Sequence, residues 1–104
     1  GYNFNMYIIK QTNVFSKWLL KLKDAKGKVS ILRRIDRMKL GNFGDNKSVG
    51  NNISELRITT STAYRVYYTK KDDEIIVLLI GGDKSTQSDD IKKANEILKE
   101  LDNE

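Results

Sequence analysis

The sequence predicts a single α+β domain with elements in the order β-α-α-β-β-β-β-α. Apolar residues recur at helical spacing through residues 13–40, the period changes to two from Asp45, and a helical stripe returns after Gly81 and Gly82. A chain of 104 residues fits one domain with a modest core. The expected arrangement is one sheet covered by helices on one side.

Met6 to Gln11 reads as a short first strand. Thr12 or Asn13 caps a helix whose apolar stripe is Phe15, Trp18, Leu19 and Leu22, with Lys17, Lys21 and Lys23 largely off it. Asp24 to Gly27 reads as a break. A second helix is expected from about Lys28 to Leu40, with Ile31, Ile35 and Met38 inward, Leu32 widening the stripe, and Gly41 as the C-terminal cap. The short connection makes the pair an antiparallel helical hairpin. Strands follow at 46–50, 53–59 and 63–70. In the second of these, Ile53, Glu55, Arg57 and Thr59 share one face, and Ser54, Leu56 and Ile58 the other. In the third, Tyr64, Val66 and Tyr68 lie opposite Arg65 and Tyr67. Residues 74–80 are apolar on both faces, as in a central strand covered on both sides. Gly81 and Gly82 read as a tight turn ending that strand. Ser85, Thr86 or Ser88 caps a last helix to about Leu101, with Ile91, Ala94, Leu98 and Leu101 inward. Gly1 to Asn5 precede a start-like Met6 and read as an added remnant or an upstream extension, which leaves 6–104 as the domain.

The chain has no cysteine and no histidine. Disulfides, thiolate metal sites and Ser/His or Cys/His pairs are therefore excluded, and any catalysis runs on Lys, Arg, Tyr, Asp or Glu. No cofactor is expected. No apolar run approaches the roughly 20 residues of a membrane span, and no secretory leader is evident, so a cytoplasmic location is expected. The net charge of +5 is uneven: residues 1–40 carry +8, 41–83 carry −1 and 84–104 carry −2. A basic first half suits nucleic acid or an acidic protein partner, or else is a solvated helical surface.

Several stretches carry a family resemblance. They are Trp18-Leu19, Leu22-Lys23-Asp24, Gly27-Lys28, Arg34-Ile35 with Arg37, Gly41-Asn42, Gly44-Asp45, Lys47 and Val49-Gly50. Glu55-Leu56-Arg57-Ile58, Tyr64-Arg65-Val66-Tyr67-Tyr68, Gly81-Gly82-Asp83-Lys84 and Thr86-Gln87 complete the set. In order and spacing, from Met6 to about Leu101, they resemble the HigB-like "addiction module killer protein" group of the RelE/ParE toxins. The resemblance implies a RelE-like fold: a twisted antiparallel sheet with a helical hairpin on one face and a C-terminal helix. It implies a cognate antitoxin, usually a helix-turn-helix protein. It implies metal-independent cleavage of mRNA on the ribosome, although ParE-like relatives share the fold and inhibit DNA gyrase instead.

Cleavage of RNA by its own 2′-hydroxyl needs a base, cations on the phosphate and a proton for the leaving 5′ oxygen. By the resemblance, Arg57, Arg65 and Lys84 occupy basic site positions, with Lys47 as a further candidate. Glu55 stands where another member has lysine, and can act as base only if its pKa is raised. The family's site tyrosine on the last helix falls near Ile91, a departure that Gln87 or Tyr67 could make good. Each position also has a structural reading. Arg57 could pair with Glu55, Arg65 could stack on a tyrosine, Lys84 could be solvated at the helix edge, and Lys47 could guard a sheet edge. Asp45 and Asp83 read as turn or cap residues. A site arginine on an open sheet face is expected to bury little area. Arg33, Arg34, Arg37 and Lys39 form a candidate surface for ribosomal RNA phosphates. The expected function is thus a ribosome-dependent mRNA endonuclease. The alternatives are a gyrase inhibitor that cleaves nothing, or a binding protein with a decayed site.

Overall fold

The computed structural model describes residues 6–104; the expected boundary at Met6 concerns residues 1–5, which lie outside the described residues. The elements are β1 (Ile8–Gln11), α1 (Asn13–Lys21), α2 (Ala25–Lys39), β2 (Asn46–Gly50), β3 (Ile53–Thr59), β4 (Ala63–Lys71), β5 (Ile75–Asp83), a 3-10 turn (Lys84–Thr86) and α3 (Gln87–Asp102). This is the expected order. The strands form one five-stranded sheet, β1-β5-β4-β3-β2. Strands β2 to β5 make an antiparallel meander, while β1 joins the edge of β5 in parallel, with Ile8 opposite Ile75.

Local chemistry explains the boundaries. The Thr12 hydroxyl caps α1 by accepting from the Phe15 N–H at 3.0 Å. Helix α2 starts earlier than the sequence suggests, because Asp24 is its cap: Oδ1 accepts the Gly27 N–H at 3.0 Å. Gly27 is therefore inside the first turn, and a Cβ there would strike the Tyr64 ring. At the other end, Gly41 has φ +85°. The Gly41 N–H donates to Met38 O and the Asn42 N–H to Arg37 O, both at 2.9 Å, closing the helix as a Schellman motif. Leu32, expected to widen the inner stripe, is 44% exposed. Asn51 and Asn52 both take positive φ in the two-residue β2–β3 turn, the type I′ geometry that matches strand twist.

Helices cover both faces of the sheet, not one. On one face, Phe15, Ile31 and Met38 from α1 and α2 pack on Leu56, Ile58, Tyr64, Val66, Tyr68, Ile76 and Leu78. On the other, Ala94 and Leu98 of α3 pack on Ile53, Tyr67, Val77, Leu79 and Ile80. The alternating faces read from the sequence of β3 and β4 divide between these two clusters as expected. Gly81 and Gly82 form no turn. They extend β5, opposite Val66 and Arg65. A bulge explains their use: Tyr67 faces Ile80 and Tyr68 faces Leu78, so Leu79 is the extra residue. Beyond it, Gly81 turns toward the Trp18 ring and Gly82 toward Asp90, and a Cβ at either would collide with those groups.

Candidate functional site

The face bearing α3 carries the candidate site, near the N-terminal end of that helix. Antiparallel register builds it in rows, because directly opposed residues point to the same side of a sheet. Lys47, Glu55 and Tyr67 form one row across β2, β3 and β4. Arg57, Arg65 and Gly82 form the next across β3, β4 and β5.

Glu55 is the centre, with 0% exposure. The Arg57 Nε–H donates to its Oε1 at 3.0 Å. Arg65 Nε lies 3.4 Å from the same oxygen. The Tyr67 hydroxyl donates to Oε2 at 3.1 Å, and the Gln87 amide, from the start of α3, donates to it at 2.7 Å. Burial alone would raise the Glu55 pKa; the bonds from Arg57, Gln87 and Tyr67 and the Arg65 charge outweigh it, and the net shift is downward. The condition for Glu55 to act as base is therefore not met: the carboxylate is held as an anion and sealed by donors. Its role in this arrangement is to fix two guanidinium groups side by side. Tyr67 is driven up by burial first and then by the Glu55 charge, so it remains a neutral donor.

The arginines keep capacity for a ligand. Arg57's side chain is 33% exposed. Arg65 is 9% exposed as a residue, not spread on an open face as expected, and pairs with Glu55 in place of stacking on a tyrosine. Its Nε is near the carboxylate but not aimed at it, and is a buried donor with no hydrogen-bond partner. That atom is itself out of a ligand's reach; an anionic oxygen would meet the 33%-exposed side chain of Arg57 and the 11% of the Arg65 side chain left open.

The remaining sequence candidates divide. Lys47 is exposed beside Glu55 in register, and Lys84 is exposed just past β5. Asp83 is the cap that the sequence suggests: its carboxylate accepts the Ser85 N–H at 2.8 Å. Ile91 packs at the edge of the α3 core. Arg33, Arg37 and Lys39 are exposed on α2, which packs against the opposite face of the sheet. Arg34 is not a free phosphate contact. It donates to the carbonyls of Arg57 at 2.5 Å, Phe43 at 2.9 Å and Asp45 at 3.1 Å, tying α2 to the start of β2 and to β3. Sequence reasoning did not single out Asp90, which sits over Gly82; the glycine at that strand position was its only trace. Among the described residues no three His, Cys, Asp or Glu side chains group as metal ligands, and no helix is long and apolar enough to cross a membrane.

A family model described as "Phage derived protein Gp49-like (DUF891)" matches residues 17–102. The chain belongs to the Gp49-like family. An uncharacterized protein of Haemophilus influenzae is 50% identical to this Gp49-like chain over 93 residues, which cover 89% of the chain and 94% of that protein. Among solved structures, a mutant of E. coli toxin RelE in the free state superposes with a TM-score of 0.72 at 17% identity, covering 88% of this chain and 96% of that one. The Gp49-like chain therefore has the RelE-like fold expected from its sequence.

Proposed function

We propose that this protein is the toxin of a type II toxin–antitoxin pair, HigB-like in kind, and that it blocks translation by cleaving mRNA on the ribosome. The observation that carries the reading is the convergence of Arg57 and Arg65 on the buried Glu55 carboxylate, which sets two guanidinium groups side by side with the Arg57 side chain 33% exposed. A protein that only docks on another needs no such preorganised pair of cations. A nuclease does, because charge builds on the phosphate in the transition state and fixed donors stabilise it there.

In this reading the scissile phosphate lies against Arg57 and Arg65. Glu55, Tyr67 and Gln87 hold the arginines in place and touch no substrate. Lys84, at the end of β5, and Lys47, at the β2 edge, stand at the rim as cations for the flanking phosphates or the leaving 5′ oxygen. The exposed cations of α2 (Arg33, Arg37 and Lys39) serve ribosomal RNA on the far side of the sheet, separate from the cleaved strand. The partners are mRNA, the ribosome and a cognate antitoxin, of helix-turn-helix type, that covers a basic surface; the setting is the cytoplasm.

Primer extension on an mRNA in a translating extract, with and without the protein, tests the reading. New 5′ ends that require both the protein and translation are expected. Growth arrest without cleavage would refute the nuclease and point to a protein target such as gyrase.

A further inference from the structure

Two carboxyl groups belong to the α3 face of the sheet at this site, and their surroundings differ. Glu55 is held by Arg57, Arg65, Tyr67 and Gln87. Asp90, on α3, has a single neutral donor, the Thr86 hydroxyl at 2.5 Å. Its position comes from the glycine beneath it. Gly82 has no side chain, and Asp90 Oδ2 occupies the space its Cβ would take. Gly82 lies directly opposite Arg65, and Arg65 directly opposite Arg57. Opposed side chains start about 5 Å apart on one face. The row across the sheet is therefore Arg57, Arg65 and the Asp90 carboxyl. Among the described residues Asp90 enters no ion pair, and it is partly open to solvent.

We propose that Asp90 is the general base of this site, accepting the proton of the attacking 2′-hydroxyl; the inference rests on the nuclease reading above. The 2′ oxygen forms a bond to phosphorus as its proton passes to an Asp90 oxygen. The bond from phosphorus to the 5′ oxygen breaks with its electron pair. That oxygen takes a proton from water or the Lys84 ammonium, and a 2′,3′-cyclic phosphate remains. Arg57 and Arg65 hold the phosphoryl oxygens throughout.

The electrostatics agree with the geometry. Burial lifts the Asp90 pKa above the ordinary aspartate value, as do the charges of Asp83 at the end of β5 and Asp89 on α3, against the Thr86 bond and Lys93. From the sheet, Tyr67, kept neutral mainly by burial and by Glu55, also feels the Asp90 charge, while Glu55 is shifted the other way. Two carboxyls whose environments push them apart divide the labour: one stays an anion, the other exchanges a proton. With no histidine in the chain, Asp90 is the carboxyl of this face suited to that exchange.

The test is single-turnover cleavage in the translating extract across pH, with thermal melting and ribosome co-sedimentation alongside. The wild type should lose rate as pH falls through the raised Asp90 pKa and level off above it. Asp90→Asn keeps an oxygen for the Thr86 hydroxyl. It should melt and bind ribosomes as the wild type does, yet cleave at least about 100-fold more slowly, without that acid limb. Thr86→Val removes the one hydrogen bond that favours the anion, so the limb should move to higher pH. Asp90→Asn that cleaves at the wild-type rate with its limb intact would overturn the proposal and leave the nuclease reading standing. Should Asp90→Asn fail to fold, an unmoved limb in Thr86→Val overturns it as well. A wild type that cleaves nothing in the same extract would overturn the nuclease reading itself.

Discussion

Replacing Glu55 should destabilise the fold far more than its position on a functional face suggests. The carboxylate is fully buried and accepts from three donors, Arg57 Nε at 3.0 Å, the Tyr67 hydroxyl at 3.1 Å and the Gln87 amide at 2.7 Å, and it pairs with the Arg65 charge at 3.4 Å. Glu55→Ala would leave the Arg65 charge uncompensated in a buried place and orphan the Tyr67 hydroxyl. Breaking a buried pair from one side costs about 3–5 kcal/mol. The Arg57 share is small, since that side chain is 33% exposed and solvent screens it. At roughly 4–8 °C per kcal/mol for a domain of this size, Tm should fall by more than about 12 °C. Glu55→Gln keeps an acceptor and the shape but loses the charge, and should cost about 1.5–3 kcal/mol. The pH dependence has a definite sign. The folded pKa of Glu55 lies below its unfolded value. Its contribution is therefore present above the unfolded pKa, near 4.3 for glutamate, and is lost as pH falls through the folded value. Melting curves of wild type and Glu55→Gln should differ at pH 7 and converge toward pH 3. A Glu55→Ala protein melting within a few degrees of wild type at pH 7 would refute the assignment of Glu55 as the anchor of the arginine pair.

Three further outcomes are expected. Gly81→Ala should lower stability by about 1–3 kcal/mol, read by urea unfolding, because the new methyl meets the Trp18 ring; no loss would mean that α1 does not seat there. Arg34→Gln should lower Tm and also slow cleavage, since it frees the Arg57 carbonyl and the start of β2; cleavage unchanged in the destabilised variant would show that this tie does not position Arg57. Reversing charge at Arg37 and Lys39 should flatten the salt dependence of ribosome co-sedimentation by a slope of about 2 or more, and an unchanged slope would remove that patch from ribosome binding.

Elements with strong periodicity were legible in the sequence. Strands β2 and β3 fall at the expected residues, and the Gly41 cap closes α2 as expected. The start of α2 was less legible because Gly27 looks like a breaker; the Tyr64 ring across the core and the capping Asp24 carboxylate together explain a glycine there. Gly81 and Gly82 misled for the same reason. Their use is set by Trp18 and Asp90, which lie on other elements, and by a bulge at Leu79 that no local pattern announces. At the site, alternation put Glu55 with Arg57 on one face of β3 and Arg65 with Tyr67 on one face of β4; the register of the two strands makes it the same face. It could not show that Gln87 closes over Glu55, or that the carboxylate would be pushed below its ordinary range, since both depend on how α3 docks. Arg34 shows the converse. It lies in a basic run and reads as surface, yet its guanidinium finds three carbonyls.

The central claim, that Arg57 and Arg65 hold a scissile phosphate, is tested most directly by a paired measurement: cleavage rate in a translating extract and thermal melting, for Arg57→Ala, Arg65→Ala and Lys84→Ala. Arg65→Ala should lose roughly 2–4 kcal/mol of transition-state stabilisation, about 30- to 900-fold in rate, as for one preorganised donor to a developing oxyanion. It should also melt lower, because Arg65 is 9% exposed and leaves Glu55 with one cation fewer. Arg57→Ala should lose rate with a smaller change in melting, and Lys84→Ala should lose rate with none, since Lys84 is exposed and forms no ion pair among the described residues. Folded variants that all cleave at the wild-type rate would contradict the account.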